Sequence, residues 1–488
     1  MSASSTKAGF LERRLAGEQQ VLARPLRALV KRAPVVCRKD ATVREAVALM
    51  HAEGVGSVVV TDAQGAPLGV FTTTDLVSAS AQGTESRPVG ESMSSAPFSL
   101  PSHAMAYEAA LAMVAMEIRH VLVLDEGRLA GVVSERDLFS LQRLGLGEIT
   151  AEIRLATGVE VLAEVAAEIR RLARLLVEEG VAAEQLTQFV SVLNDRLCQR
   201  LLEIERKNHR WEGIGWCWLA FGSEGRFEQT FSTDQDNGVV FVSHDAAPAD
   251  SVRERLLPFA RAVNEGLDAC GFPLCKGLVM GSNPKMCLSL DEWKARIRGW
   301  VATPEPNDLL NASIFFDLRP LYGDTSLASA LRDWLHPLAR ANPAFLRLMA
   351  ENALESRPPL GLVRDFTTSD SPGHAHSINL KLNGARPFID AARIYALANG
   401  IAHTNTAERL RAARARIGMG EPECEALVGA FFEVQRHRLR KQAAPGAGDE
   451  GANLIDPDGL NPFERRVLKE AFLQARSLQS RLGLDYQV

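Results

Sequence analysis

No stretch of this chain approaches the roughly 18–20 consecutive apolar residues that a membrane-spanning helix requires. The longest candidate, Ile214–Phe221, has the length of a strand. The opening MSASSTKAGFLERRL carries basic residues but no apolar segment and no small-residue cleavage site, so no secretion signal is expected and a cytoplasmic location is the default. An excess of positive charge is also lacking. Fifty-five Lys and Arg stand against sixty Asp and Glu, and a net charge of −5 leaves no electrostatic footprint for DNA or RNA. Cysteine is sparse: seven are scattered along 488 residues, an odd number that suits reduced thiols better than a disulfide framework. Cys270, Cys275 and Cys287 form the one loose cluster, at a spacing that matches no common zinc pattern, and are expected as buried structural thiols.

The remaining composition, 46% hydrophobic and 24% charged, is that of a globular protein, and the length implies about three domains. The first third repeats itself. GSVVVTDAQGAPLGVFTTTDL (Gly56–Leu76) recurs as RHVLVLDEGRLAGVVSERDL (Arg119–Leu138), with Gly69, Asp75 and Leu76 returning as Gly131, Asp137 and Leu138. Each copy reads as a helix, a β-branched strand, an Asp turn, a second strand and a new helix start. Thr42 and Glu45 are spaced for a capping box.

This pattern resembles the CBS domain, whose tandem pairs fold into a Bateman module. The resemblance covers residues 28–145, as copies at 28–82 and 86–145. It implies that Thr72 with Asp75, and Ser134 with Asp137, contact the phosphate and ribose of an adenine nucleotide (AMP, ADP or ATP), and that two chains pair through these modules as a homodimer. Without a ligand, the same residues serve as helix caps. Residues 1–27 are expected as an N-terminal helical extension. Residues 146–210, rich in Ala, Leu, Glu and Arg at helical spacing, are expected as a helical connector.

The segment WCWLAFGSEGRFEQTFSTDQDNGVVFV, residues 216–242, carries the chemistry. An apolar strand breaks at Gly222–Ser223 and a second strand follows Asp236. Asp234 and Asp236 are two apart, so in extended backbone both carboxylates face one side and can share Mg²⁺, which favours carboxylate oxygen together with substrate phosphate. Gly222 permits close backbone approach, and Ser223 with the free N–H groups of a helix start can cradle phosphate. The string resembles the DNA polymerase beta-like nucleotidyltransferases, and its longer form resembles a signal-transduction branch related to PII-protein uridylyltransferases. The resemblance implies a domain at 211–330 with a mixed sheet, an NTP substrate and one or two Mg²⁺ ions. It also implies a third carboxylate from a later strand, for which Asp317 in SIFFDLRPLYGD is the candidate, with a salt bridge to Arg226 or Arg319 as its other reading. Arg226 and Glu228 are candidates for the nucleotide phosphates, or alternatively a structural pair that orders the loop. Asp324 is expected in a turn or cap.

Residues 331–488 are expected as a C-terminal helical domain, with residues 445–453 as a loop. Within it, residues 379–413 resemble the helical domain that accompanies these transferases, and Lys381, Arg386, Asp390 and Arg393 match its polar positions. Asn379 stands near a position where the family carries an acid. The chain therefore reads as a multidomain α/β (α+β) protein. Its expected activity is transfer of a nucleoside monophosphate from an NTP to a protein or small-molecule acceptor, adjusted by adenine nucleotides. A noncatalytic nucleotide-sensing scaffold is the alternative, and a metal-dependent phosphohydrolase is disfavoured because no His-Asp pair stands out.

Overall fold

A computed structural model describes residues 24–488 apart from 117, 136, 139–145, 246, 303–312, 362–364, 372–373 and 445–450. Most of the expected N-terminal extension and six residues of the loop expected at 445–453 thus lie outside the described residues. The chain divides into two compact units, residues 1–150 and 151–488.

The first unit contains the repeat. Strand β1 (Val36–Arg38), helix α1 (Val43–Ala52), strands β2 (Ser57–Thr61) and β3 (Pro67–Thr72), helix α2 (Thr73–Ala81) and strand β4 (Ser94–Ser95) form the first copy. Strand β5 (Ser99–Pro101), helix α3 (Ala106–Met116) and strands β6 (His120–Asp125) and β7 (Arg128–Ser134) form the second. The hairpins share one register: Ser57 faces Thr72 as His120 faces Ser134, and both ladders shift one residue after Val60 or Val123. The expected capping box opens α1, where Thr42 N donates to Glu45 Oε2 at 2.7 Å and Glu45 N to Thr42 Oγ1 at 3.2 Å. Val59 and Val70 pack with Leu122, Leu129 and Val132, an apolar seam between the copies.

Helix α4 (Leu146–Leu155) carries the chain into the second unit, where α5 (Val159–Glu178) and α6 (Ala183–Arg206) follow. These are the helices expected as a connector. They instead pack into the second unit, because α6 turns a polar row inward. Ser191 Oγ accepts from Gln229 N at 3.1 Å, Asn194 Nδ2 donates to Gln229 Oε1 at 3.2 Å, and Asp195 pairs with Arg319 at 2.8 Å. Positions three to four apart share one helix face, so a single face supplies all these contacts.

The mixed sheet is ordered β10-β9-β8-β11, built from β8 (Ile214–Ala220), β9 (Asn237–Ser243), β10 (Cys287–Ser289) and β11 (Arg319–Gly323). Only β10 and β9 run parallel. Between the strands come the short helix α7 (Gly222–Gly225), α8 (Ala249–Ala269) and α9 (Leu290–Ala302). Trp218, Phe221, Phe241, Phe259 and Trp293 are fully buried and form its core.

Beyond the sheet, α10 (Thr325–Arg340) and α11 (Pro343–Glu355) lead to the small strands β12 (Ser369–Ser371) and β13 (His374–Asn379). A π-helical turn, Leu380–Ala385, runs into α12 (Arg386–Asn399), followed by α13 (Thr406–Ala413), α14 (Glu421–Ala443), strand β14 (Leu454–Ile455) and α15 (Pro462–Tyr486). Phe388, Phe431 and Phe472 fill the core among these helices. Asp324 caps α10 as expected, accepting from Ser326 N at 3.0 Å. Asn379, where an acid was the family pattern, caps the π turn by accepting from Lys381 N and Leu382 N. Among the described residues no helix is long and apolar enough to cross a membrane.

Candidate active site

Asp234 and Asp236 sit in the extended segment that enters β9. Gln235 between them turns to the interior, where its side-chain amide donates to Asn264 O at 2.9 Å and Phe272 O at 2.8 Å. Alternation along extended backbone therefore puts the two carboxylates on the side opposite Gln235. Their oxygens lie with Cys275 Sγ in a group whose members are all within 4.8 Å of one another. Asp234 is 45% exposed at its side chain and has Lys381 Nζ at 3.9 Å. Asp236 is more enclosed. Burial, and then the neighbouring charge of Asp234, push its carboxyl up to about 6, against a smaller pull from Lys381 and the Cys275 thiol.

Gly222 explains how the glycine turn reaches this pair. Phe221 N donates to Asp236 O at 2.8 Å, and Gly222 has φ of +53°. A methyl group built there would stand 2.5 Å from Asp236 Oδ2, so only glycine lets the end of β8 pass against the carboxylate. Ser223 follows at partial exposure. Gly225 is constrained for another reason: a side chain there would meet the backbone oxygen of Asp317 at 2.1 Å.

The donor set fits Mg²⁺ in part. Two carboxylates with mutually repelling charge, beside space that only a missing side chain leaves open, suit a hard divalent cation. The expected third ligand does not join them. Asp317 precedes β11 instead of lying within a strand and is completely buried. Its Oδ1 accepts from Arg393 Nε at 3.0 Å and Arg409 Nη1 at 2.6 Å, and its Oδ2 from Arg393 Nη2 at 2.7 Å and Arg226 Nη1. Burial alone would raise its pKa, but three guanidinium charges hold the carboxyl well below the ordinary range. The salt-bridge reading of Asp317 thus replaces the metal-ligand reading, because an ion in an apolar interior needs compensating charge and arginine supplies it.

Arg226 and Glu228, expected at the nucleotide phosphates, are committed to the same buried network. Arg226 Nε donates to Glu228 Oε2 at 2.8 Å, and Glu228 Oε1 accepts from Thr406 N at 2.7 Å. Asp390 receives Arg393 at 2.6 Å and Arg386 at 3.0 Å. Sequence reasoning missed Glu224, the acid within the Gly-Ser-Glu-Gly string. It is buried beside Asp195 and Arg319, and burial followed by the charge of Asp195 raises its carboxyl to about 8. It also placed Cys275 among inert thiols; the loop that carries it to Asp236 has no local signature.

In the first unit Thr72 and Asp75 cap α2, and Ser134 and Asp137 repeat the same side-chain bonds after β7. Asp75 Oδ2 accepts from Thr72 N at 2.8 Å and Thr72 Oγ1 at 2.7 Å, and Asp137 Oδ2 accepts likewise from Ser134 N and Oγ. The copies differ in that Lys31 Nζ also bonds Asp137 Oδ1 at 3.0 Å. His120 is close enough to feel the charge of both Asp137 and Asp75, although burial outweighs them and lowers its pKa. A cavity of about 1050 Å³ lies elsewhere, lined by Arg357, Leu360, Ser377, Arg476 and Leu484 among others, and none of the expected site residues lines it.

Residues 167–307 match the family model "Putative nucleotidyltransferase DUF294", residues 343–486 match "Putative nucleotidyltransferase substrate binding domain", and residues 26–82 and 89–143 match the CBS domain. No curated protein matches the chain. Among solved structures, a CBS domain protein from Pyrobaculum aerophilum complexed with AMP is similar at 31% identity. That match covers 23% of this chain and 89% of that one, with a TM-score of 0.23. A CBS-domain-containing protein from Agrobacterium tumefaciens is similar at 31% identity, covering 24% and 98%, also with a TM-score of 0.23. The chain thus carries, in order, a CBS pair, a domain that matches the DUF294 family model and a domain that matches the accompanying C-terminal model.

Proposed function

We propose that this protein transfers a nucleoside monophosphate from an NTP to an acceptor, a protein side chain or a small molecule, at Asp234 and Asp236, as a uridylyl- or adenylyltransferase-like enzyme. The observation that carries the reading is the pair of convergent carboxylates beside the Gly222 turn. In the reaction an acceptor oxygen gives up its proton to solvent and forms a bond to the α-phosphorus, the bond to the β-phosphate bridge breaks, and pyrophosphate leaves. A divalent cation such as Mg²⁺, held by Asp234 and Asp236, would supply charge neutralisation for the phosphates. Ser223 and the turn at Gly222 orient the phosphate tail, and Lys381 brings an ammonium group to its edge. The arginine network around Asp317 fixes the loop that carries Ser223 from behind, through Arg226. Asp317, Arg226 and Glu228 therefore position the site and touch no substrate.

The protein incubated with Mg²⁺, each of four labelled NTPs and cell extract is expected to label an acceptor and release pyrophosphate, and Asp234→Asn is expected to stop both. Labelling that persists in the variant would remove the site, and no transfer with any NTP would leave a noncatalytic nucleotide sensor. The same proposal gives the CBS pair an adenine nucleotide as regulator in a homodimeric, cytoplasmic protein, with Asp75 and Asp137 exchanging their bonds to Thr72 and Ser134 for ribose hydroxyls. Asp75→Ala and Asp137→Ala should each weaken AMP or ATP binding in calorimetry; an unaltered affinity places any nucleotide elsewhere.

A further inference from the structure

The third donor at the carboxylate pair is sulfur. Cys275 is 7% exposed, its Sγ stands 3.5 Å from Asp236 Oδ1, and its thiol shares with the two carboxylates a group spanning no more than 4.8 Å. This proximity is built in. The loop carrying Cys275 is hydrogen-bonded to both neighbours of Asp236: Gln235 N donates to Pro273 O at 3.1 Å and Asn237 N to Val279 O at 3.0 Å. Gly281 N donates to Asn237 Oδ1 at 2.8 Å, closing the loop's far end, and Leu278 N donates to Cys275 O at 2.9 Å, closing its tip. Cys275 N in turn donates to Met280 Sδ at 3.4 Å. The loop is tied on either side of the carboxylate, so the Cys275 backbone is held beside Asp236 by bonds of the strand entry.

We propose that Asp234, Asp236 and Cys275 form a mixed oxygen–sulfur site for a thiophilic divalent cation, with Cys275 as a thiolate ligand for ions such as Zn²⁺ or Cd²⁺. The inference rests on the transferase reading only in locating the cation at the same carboxylates. Magnesium is a hard ion that takes oxygen, so it uses the two Asp side chains alone; a thiolate adds affinity selectively for softer ions. On binding, the S–H bond breaks, a metal–sulfur bond forms, and one proton passes to the buffer for each ion taken up. A thiophilic ion therefore competes with Mg²⁺ at the proposed transfer site.

Titration of the reduced, full-length protein with Cd²⁺ tests this by the ultraviolet sulfur-to-cadmium charge-transfer band. One equivalent should saturate the band with release of one proton. Cys275→Ser should abolish the band and weaken Cd²⁺ binding by at least about tenfold, the lower range for disturbing even an outer partner of a metal ligand. Asp236→Asn should keep the band but shift it to higher Cd²⁺ concentration, and unchanged circular dichroism of both variants, with Cys275→Ala as a second replacement, separates ligand loss from misfolding. A band that survives Cys275→Ser at the same affinity overturns the mixed site and assigns Cd²⁺ to another thiol. Absence of nucleotidyl transfer with any cation, with the band intact and dependent on Cys275, overturns the transferase reading alone.

Discussion

Two acidic centres of the second unit, Asp317 and Asp236, stand in opposite electrostatic states. Asp317 has no exposed surface, four charge-assisted bonds and a carboxyl held far below its usual range by three arginines. Asp236 is next to another acid, has a thiol and a distant ammonium for company, and is pushed up to about 6. The first arrangement has already spent its charge on stability. The second has charge left over, which is what a site for a cation or a cationic complex requires. The contrast separates a carboxylate that holds the fold from one that is available for chemistry, although the sequence offers both as metal ligands.

Substitution should break the comparison cleanly. Asp317→Asn leaves three buried guanidinium groups short of charge, and unfolding by urea should show a loss of about 3–5 kcal/mol, the range for removing one partner of a buried ion network. Asp236→Asn should move the urea midpoint little, or upward at neutral pH, because it relieves repulsion from Asp234. Equal destabilisation by the two variants would erase the distinction between them.

Glu224 sharpens the same contrast through pH. Its folded-state pKa, about 8, lies above the ordinary 4.5, so its contribution to stability is complete below 4.5 and is lost as pH rises through about 8. The wild-type melting temperature should therefore fall across this window more steeply than that of Glu224→Gln, with the variant the more stable on the alkaline side. Parallel curves would mean that Arg319 and solvent already compensate the ionised group.

Much of this was legible in the sequence where the determining contacts are local. The CBS pair follows from a repeat with a fixed offset, and the shared register of the two hairpins is its physical expression. Asp234 and Asp236 converge because extended backbone has a period of two. The Thr42–Glu45 box needs only a three-residue spacing. A salt bridge to Arg226 is one of the two readings the sequence allows for Asp317, but its further partners Arg393 and Arg409 arrive from α12 and α13, 76 and 92 residues later, and no local pattern couples a carboxylate to arginines at such distance. Cys275 was passed over for the same reason. Its approach to Asp236 is fixed by backbone bonds between a strand entry and a loop nearly forty residues on, and backbone bonds leave no mark on side-chain identity. The helices expected as a connector carry a legible apolar stripe, but the inward polar row of α6 is recognisable only once Gln229 and Arg319 stand opposite it.

The smallest expected effect concerns Lys381, a cation that reaches the carboxylate pair from the C-terminal domain. At 3.9 Å from Asp234, with both side chains about half exposed, the pair contributes at most about 1 kcal/mol, so Lys381→Met should barely change the melting temperature. Its electrostatic effect should still be measurable, because the ammonium lowers the Asp236 pKa against burial and Asp234. Removing it should move the Asp236 titration midpoint, followed by carboxyl carbon NMR, further upward, and should weaken NTP binding through loss of a phosphate-facing charge. The π turn that holds Lys381, capped by Asn379, would then have a purpose beyond packing, in setting one positive charge at the rim of an otherwise acidic site. A midpoint and an NTP affinity that both stay in place would instead make Lys381 a solvated surface residue, and the two carboxylates would meet the nucleotide without help from the C-terminal domain.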